Sequence, residues 1–228
     1  MTNLCTVDVG GIELAYQVSG PPDAAPMVLL HALGETARNW DTVSAAFTAH
    51  WRVYAPDMRG HGRSDWPGNY SLELMRTDVA RFLDALALDR VTVIGHSMGG
   101  LVACLLAEDH PHRVRRMVLE DVPVPYPRTG GSLTRPGGPQ PYDWSAVLAV
   151  RAQIDDPDPA WRDRLTAITA PTLVVAGGSA SPMPQDRVAE MATRIPRADI
   201  VTIPVGHRVH DSRPDDFTAA ILPFLRSG

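Results

Sequence analysis

Near the middle of the chain stands the stretch Val91-Thr92-Val93-Ile94-Gly95-His96-Ser97-Met98-Gly99-Gly100. Four apolar or β-branched residues lead directly into the pattern Gly-x-Ser-x-Gly, and a helix-compatible run at residues 101–108 follows. This order predicts a strand, a sharp turn and a helix, with Ser97 at the turn. The serine backbone is strained in such a turn, and the flanking glycines let the strand and the helix approach each other. We therefore predict that the Ser97 hydroxyl is presented at the edge of a sheet.

Composition and charge restrict the kinds of partner that this chain can have. The 228 residues are 44% hydrophobic, which is enough for one sizeable core, and we expect residues 1–228 to form a single domain. The formal net charge is −5, and the only basic cluster, residues 113–116, is short. Nucleic acid is therefore not an expected partner. Cys5 and Cys104 are interpreted as free thiols in a reducing compartment.

No targeting or membrane segment is predicted. Residues 1–11 have neither a basic start nor an apolar run, so they do not resemble a signal peptide, and no stretch is long enough to span a membrane. The expected location is the cytoplasm, with no membrane partner.

Apolar runs alternate with helix-length amphipathic segments along most of the chain. The predicted strands are residues 6–9, 12–18, 27–30, 51–56, 91–94, 114–119, 171–177 and 199–205. Besides the helix after Ser97, the predicted helices are residues 40–47, 71–88, 185–194 and 214–225. Strands separated by helices predict parallel pairing, so the fold class is α/β: a mostly parallel sheet of about eight strands with helices on both faces. Ligands of such sheets bind at the C-terminal ends of the strands.

The regular pattern stops at residues 122–158, where prolines alternate with two Gly-Gly pairs. Such a stretch could be a disordered linker. Since a strand pattern resumes at residue 171, we interpret residues 122–165 as a short lid insertion over the sheet edge. Tyr126, Tyr142 and Trp144 are its predicted packing residues.

Five motifs stand in a fixed order along the chain. They are His31-Ala32-Leu33-Gly34, Asp57-Met58-Arg59-Gly60-His61-Gly62-Arg63-Ser64, Gly95-His96-Ser97-Met98-Gly99-Gly100, Pro171-Thr172-Leu173-Val174-Val175 and Gly206-His207. In this order they resemble the α/β-hydrolase fold superfamily, and the resemblance covers nearly the whole chain apart from the insertion. The superfamily holds esterases, lipases, C–C hydrolases, perhydrolases and lyases, so the resemblance implies a mechanism more than a substrate.

A serine nucleophile needs a base that takes its proton, and a neutral imidazole suits this task near neutral pH. His207 is the candidate, because it follows a predicted strand and Gly206, the place that the resemblance assigns to the catalytic histidine. His210 is the rival, at or near the start of the last helix. The other histidines are interpreted as structural. No metal spacing is recognised among them, so neither a metal nor another cofactor is expected.

The resemblance also implies an oxyanion hole formed by the backbone N–H groups of Leu33 and Met98. Ala32 stands where the family more often has glycine, and its methyl group could narrow the approach to this hole. We expect the alanine to be tolerated.

The sequence offers two neighbouring candidates for the carboxylate of the expected triad. The family usually has an aspartate soon after the strand that begins at Pro171, but no carboxylate follows here until Asp186. Some members carry the acid after the strand that follows the elbow helix, where this chain has Glu120 and Asp121. Neighbours on an extended strand point to opposite sides, so only one of them can face the histidine. Glu120 is the predicted acid and Asp121 the alternative, although both could merely end a strand.

The predicted function is that of a serine hydrolase that cleaves a small or medium carboxylic ester through an acyl-enzyme. The expected partner is therefore a small-molecule acyl substrate. Alternatives on the same fold are a cofactor-free perhydrolase, a C–C hydrolase or a lyase, and a non-catalytic ligand-binding protein is a further alternative. The missing usual aspartate and Ala32 favour the binding protein, whereas the intact elbow and Gly206-His207 argue against it. The sequence carries no signal for the oligomeric state.

Overall fold

A computed structural model describes residues 2–227. Among these residues, eight strands form one sheet: β1 (Asn3–Asp8), β2 (Glu13–Ser19), β3 (Ala25–Leu30), β4 (Trp51–Pro56), β5 (Val91–His96), β6 (Val114–Glu120), β7 (Thr172–Ala176) and β8 (Ala198–Thr202). Their order across the sheet is β1-β2-β4-β3-β5-β6-β7-β8. Strands β3 to β8 pair in parallel, and β1 and β2 are antiparallel to their neighbours. The predicted mostly parallel sheet is confirmed.

Helices cover both faces of this sheet. They are α1 (Asp41–Phe47), α2 (Leu72–Ala85), α3 (Met98–Asp109), α4 (Trp144–Asp155), α5 (Trp161–Arg164), α6 (Gln185–Arg194), α7 (Val209–Ser212) and α8 (Pro214–Arg226). Residues of α2, α3 and α6 join one buried apolar cluster, whereas residues of α1 and α8 join the other. Within residues 2–227, no helix combines the length and the apolar character needed to cross a membrane.

The inner strands are buried on both faces, which explains their continuous apolar sequences. In β3, Val28 and Leu30 belong to one apolar cluster, and Met27 and Leu29 belong to the other. Successive side chains of a strand point to opposite faces, so an unbroken apolar run serves both cores at once. Polar side chains that perform chemistry are therefore placed beyond the ends of the strands.

Two elements end three residues before the position that the sequence predicts. The end of α2 comes three residues early, because Ala87 adopts a left-handed φ of 53° and the Leu88 N–H bonds back to the Leu83 carbonyl at 2.8 Å. The strand β8 also ends three residues early, shortly before Pro204, which has no N–H for sheet pairing.

The insertion between β6 and β7 is attached to the loop that follows β4. The Gly62 N–H donates to the Pro141 carbonyl at 2.7 Å, and the Asp143 N–H donates to the Gly60 carbonyl at 2.8 Å. The Asp143 carboxylate also caps α4 and accepts a 2.7 Å hydrogen bond from the Tyr70 hydroxyl. These contacts hold the start of α4 beside the C-terminal ends of the strands.

The predicted packing residues of the insertion take different places. Tyr126 lies between two arginine side chains, whose guanidinium carbons are 4.3 and 3.6 Å from its ring centroid. Tyr142 forms a β-bridge with His61, and Trp144 begins α4 half-buried. Between Tyr126 and Tyr142, residues 127–139 are exposed.

Candidate active site

The turn between β5 and α3 carries Ser97 in a strained conformation, with φ 51° and ψ −114°. A Cβ on Gly95 would come within 2.6 Å of the backbone at Gly100, and a Cβ on Gly99 would lie 2.2 Å from the Leu30 carbonyl oxygen. No side chain fits at either place, so the glycines of the motif are required by packing. The predicted strand, turn and helix are confirmed.

The loop after β3 lies at the same sheet edge as Ser97. The strands β3 and β5 are parallel neighbours, with Leu30 opposite Gly95. The loop closes in a turn, where the Glu35 N–H donates to the Ala32 carbonyl at 3.1 Å. Leu33 lies inside this turn. Met98 is the first residue of α3, where a helix leaves its N–H groups without an internal acceptor.

Two buried histidines connect this loop to the loop after β4. His31 accepts a hydrogen bond at Nε2 from the Met58 N–H at 2.9 Å, and His61 accepts one at Nε2 from the Gly34 N–H at 3.2 Å. Each ring donates from Nδ1 to a nearby backbone carbonyl. Burial lowers the pKa of His31 to about 4 and that of His61 to about 3. Both rings are therefore neutral braces near pH 7.

His207 meets a carboxylate at the end of β6. Its Nδ1 lies 2.7 Å from an Asp121 carboxylate oxygen. Asp121 is buried, whereas the His207 side chain is 23% exposed and so remains reachable from outside. His207 follows Gly206, whose φ of 102° favours glycine.

Asp121 is held by further donors from the loop after β7. Its carboxylate accepts hydrogen bonds from the Gly177 N–H at 2.9 Å, from the Gln185 side chain at 3.0 Å and from the Ser181 hydroxyl. Burial alone would raise the pKa of Asp121, but the hydrogen bonds from His207 and these donors outweigh burial and lower it. Asp121 is therefore an anion at neutral pH.

The sequence prediction that Glu120 faces His207 is wrong. The Glu120 carboxylate instead accepts hydrogen bonds from His210, at 2.9 Å from the backbone N–H and 2.7 Å from ring Nδ1. Asp121, the alternative, takes the place beside His207. The physical reason is that β6 ends at Glu120 and Asp121 has a left-handed φ of 50°, so the alternation of an extended strand no longer applies. Asp186 lies in the first turn of α6 with its side chain 74% exposed.

Three residues of the site were missed by the sequence analysis. Ser181 and Gln185 contact Asp121, and the available signal was polar side chains in the loop where the family usually carries its acid. His96 was interpreted, like the other remaining histidines, as structural, without a place in the site. Its Nε2 donates to the His207 backbone carbonyl at 2.8 Å, which ties the elbow directly to the histidine loop.

Among residues 2–227, one group has the donor types and spacing of a metal site. It consists of His96, Glu120 and His210, whose possible ligand atoms lie within 4.8 Å of one another. Glu120 is already hydrogen-bonded to His210, and His96 to the His207 carbonyl. Protein hydrogen bonds therefore account for this arrangement.

A groove of about 1130 Å³ lies elsewhere on the surface. Its walls come from β1, β2 and residues 36–48, with further contributions from the loop after β4. Ser97, Asp121 and His207 do not line it. The groove is thus separate from the catalytic candidates.

Comparison with known proteins places these features in context. The sequence profile of a family described as "alpha/beta hydrolase fold" matches residues 25–149, more than half of the chain. An uncharacterized protein of Mycobacterium tuberculosis is 36% identical over 112 residues, which cover 49% of this chain and 32% of that relative, so the chain matches about a third of the relative's length. The sn-1-specific diacylglycerol lipase ABHD11 of Mus musculus is 27% identical over 96% of this chain and 87% of the lipase. The enol-lactonase structure from Burkholderia xenovorans LB400 superimposes with a TM-score of 0.86 at 25% identity, covering 98% of this chain and 100% of that chain.

Proposed function

Because this chain belongs to the α/β-hydrolase family, we propose that it is a serine hydrolase that cleaves a small or medium carboxylic ester through an acyl-enzyme. The supporting observation is the 2.7 Å hydrogen bond between His207 and Asp121, at the sheet edge where the strained Ser97 lies. Nucleophilic catalysis by serine uses a base that is itself oriented by a carboxylate. Ser97 is the nucleophile in this proposal, His207 the base and Asp121 the acid.

The reaction follows from these roles. Asp121 holds the His207 proton at Nδ1, so Nε2 is left to take the proton of the Ser97 hydroxyl as it attacks the ester carbonyl. The carboxylate then stabilises the imidazolium that forms. The oxyanion of the tetrahedral intermediate accepts hydrogen bonds from the N–H groups of Leu33 and Met98. The imidazolium gives its proton to the leaving alcohol, and a water activated by His207 later releases the acid.

Two of the compared proteins support an ester as the bond that is cleaved. One is named as a diacylglycerol lipase and the other as an enol-lactonase, and both names refer to carboxylic esters. The substrate proposed for this chain is a small-molecule acyl compound, processed in the cytoplasm without a cofactor. The insertion at residues 122–165 acts as a lid in this proposal, because its attachment to residues 60–62 puts it beside the strand ends.

A fluorophosphonate probe tests the nucleophile. The chain is incubated with the probe, and the Ser97 peptide is analysed by mass spectrometry. We expect rapid labelling at Ser97, because the probe reacts with an activated serine hydroxyl. Ser97→Ala is the control and should lose hydrolysis of a p-nitrophenyl ester by a factor on the order of a million while keeping its fold.

Three outcomes would contradict the proposal. Near-normal ester hydrolysis by Ser97→Ala would exclude Ser97 as the nucleophile. An unlabelled Ser97 in the folded wild type would instead favour the ligand-binding alternative. If Ser97 is labelled but no ester in a series of acyl lengths is hydrolysed, the result would favour the C–C hydrolase and lyase alternatives.

A further inference from the structure

Beside His207 lies a second group of polar side chains, formed by Glu120, His210 and His96. All three are fully buried. The Glu120 carboxylate binds both the backbone N–H and the ring Nδ1–H of His210, at 2.9 and 2.7 Å. The His96 ring binds the backbone carbonyl of His207 at 2.8 Å. The loop that carries His207 is thus tied to β6 at one point and to β5 at another.

We propose that Glu120 is a positioning residue for the reaction, because through His210 it fixes the backbone from which His207 extends. The inference rests on the proposed function, since it requires His207 to be the base. Asp121 orients the His207 ring, whereas Glu120 holds the loop. The two carboxylates are neighbours in the chain. The end of β6 therefore fixes both the orientation of the His207 ring and the position of the His207 backbone.

The loop around His207 depends on such external contacts. It starts at Gly206 with a left-handed φ, and Arg208 has non-helical angles before the four-residue helix α7 begins. A loop without regular structure has few internal hydrogen bonds that define its position. A shift of about 1 Å at a reacting group can cost roughly a hundredfold in rate. Glu120 therefore acts at a point where small movements change turnover.

The surroundings of the His210 ring show why the Glu120 carboxylate determines the orientation of this ring. Trp40 stacks on the ring with a centroid distance of 4.4 Å, and Phe217 contacts it edge-on at 6.1 Å. The Nε2 atom has no hydrogen-bond partner within the described part of the chain, residues 2–227. Apolar contacts are not directional, whereas hydrogen bonds are. Glu120 thus supplies the directional constraint on the His210 ring, while the Thr42 hydroxyl donates a longer hydrogen bond, 3.4 Å, to the His210 carbonyl.

Glu120 provides this constraint as an anion. Burial alone would raise the pKa of Glu120, but the neighbouring His96 and His210 outweigh burial and lower it. Hydrogen bonds to a charged acceptor are roughly twice as strong as those between neutral groups. Both carboxylate oxygens accept from His210, so an amide in this place would put an NH2 group at one of the two positions, opposite an N–H group of His210.

Three variants of the full chain test the inference: Glu120→Gln, His210→Leu and His210→Asn. The first two remove the charge-assisted hydrogen bond, whereas asparagine keeps an N–H donor close to the position of Nδ1. The kcat and KM for a p-nitrophenyl ester are measured per folded molecule, with the folded fraction taken from circular dichroism. We expect kcat to fall about a hundredfold in the first two variants with KM nearly unchanged. His210→Asn should retain most of the activity.

Glu108→Gln is the matched control. The Glu108 side chain is 3% exposed and pairs with Arg164, but it lies at the far end of α3. Eleven residues of helix separate Glu108 from Ser97 by about 16 Å. This variant also replaces a buried carboxyl group by an amide, and its kcat per folded molecule should stay unchanged.

Several outcomes would overturn the positioning role. If Glu120→Gln and His210→Leu keep the wild-type kcat per folded molecule, the contact between Glu120 and His210 only supports the fold. The same conclusion follows if His210→Leu and His210→Asn have the same kcat. If His210→Leu does not fold, the kcat of Glu120→Gln is compared with that of His210→Asn, and equal values contradict the positioning role. Fluorophosphonate labelling separates the two proposals. If the wild type is not labelled, the proposed function is contradicted. If the variants are labelled as fast as the wild type, only the positioning role is contradicted.

Discussion

The carboxylate of Asp121 gathers four hydrogen-bond donors in a buried place. One is His207, and the others are Gly177, Ser181 and Gln185 from the loop after β7. These contacts keep the carboxylate charged although water is excluded from it. In the proposed reaction the imidazolium forms beside this anion, so single substitutions here should act on the transition state more than on substrate binding.

Asp121→Asn is the first test at the level of single residues. The amide keeps the shape of the side chain but cannot balance the imidazolium, and it favours the wrong tautomer of His207. We expect kcat to fall roughly ten-thousandfold with little change in KM. Asp186→Asn is the control and should keep normal kcat, because its side chain is exposed on α6. Near-normal turnover in Asp121→Asn would point to a serine–histidine dyad.

Ser181→Ala tests the support of the acid. The Ser181 hydroxyl donates to Asp121 and also accepts from the Met183 N–H at 3.0 Å. A hydrogen bond to a charged group contributes about 1.5–3 kcal/mol, so its loss should raise the pKa of Asp121. Without this bond the carboxylate is held less firmly beside His207, so kcat at pH 7 should fall about tenfold with little change in KM. An unchanged kcat would separate Ser181 from the chemistry.

Left-handed backbone angles explain where the sequence prediction of single residues failed. Within residues 2–227, three non-glycine residues have a positive φ: Ala87, Ser97 and Asp121. Only Ser97 stands in a motif that signals this conformation. Ala87 and Asp121 have no such signal, so the end of α2 and the side chain that faces His207 were both misassigned. The position of His207 after a strand and a glycine was readable, and its catalytic role stays a prediction.

At the level of elements, the contact between β3 and the start of α3 defines the elbow. Gly99→Ala should destabilise the protein, because its Cβ would lie 2.2 Å from the Leu30 carbonyl oxygen. We expect a loss of about 1–3 kcal/mol in the free energy of unfolding, measured in urea. Gly131→Ala is the control, because a Cβ there has nothing within 4 Å, and it should change stability by less than about 0.5 kcal/mol. Equal stability of both variants would contradict the close approach.

The strands and the helices that pack on the sheet were predictable because burial leaves a periodic trace, whereas the twelve-residue helix α4 inside the insertion was not predicted. The run from Met27 to Leu30 indicated a strand buried on both faces, and the apolar face of 71–88 indicated a helix capped by Ser71, which accepts a hydrogen bond from the Leu74 N–H at 3.1 Å. The two backbone hydrogen bonds between the insertion and residues 60–62 could not be predicted, since backbone contacts between distant loops leave no periodic pattern.

At the level of the whole molecule, the neutral braces His31 and His61 make stability depend on pH. Unfolding restores an ordinary pKa of about 6.5 to both, so between pH 6.5 and 4 the unfolded chain binds more protons than the folded one. Their contribution to stability is present above pH 6.5 and is lost as the pH falls. Each histidine adds a slope of at most about 1.4 kcal/mol per pH unit.

His61→Gln should flatten this dependence. Urea unfolding at pH 7 and pH 5 is expected to show a stability difference about 2 kcal/mol smaller in the variant than in the wild type. His112→Gln is the control and should follow the wild type, because the His112 ring is exposed. Parallel pH curves for the wild type and His61→Gln would contradict the buried neutral state of this ring.

The exposed stretch at residues 127–139 divides the site between two pieces of chain. Ser97 and Asp121 precede it, and His207 follows it, while β6 and β7 on either side remain paired in parallel. A protease that nicked this stretch would leave the proposed nucleophile and base on separate fragments, held together by the sheet, its core and hydrogen bonds such as those of His207 with Asp121 and of Tyr70 with Asp143. Ester hydrolysis would then report whether the two fragments associate. The protein thus offers a natural break point for a split reporter of molecular association.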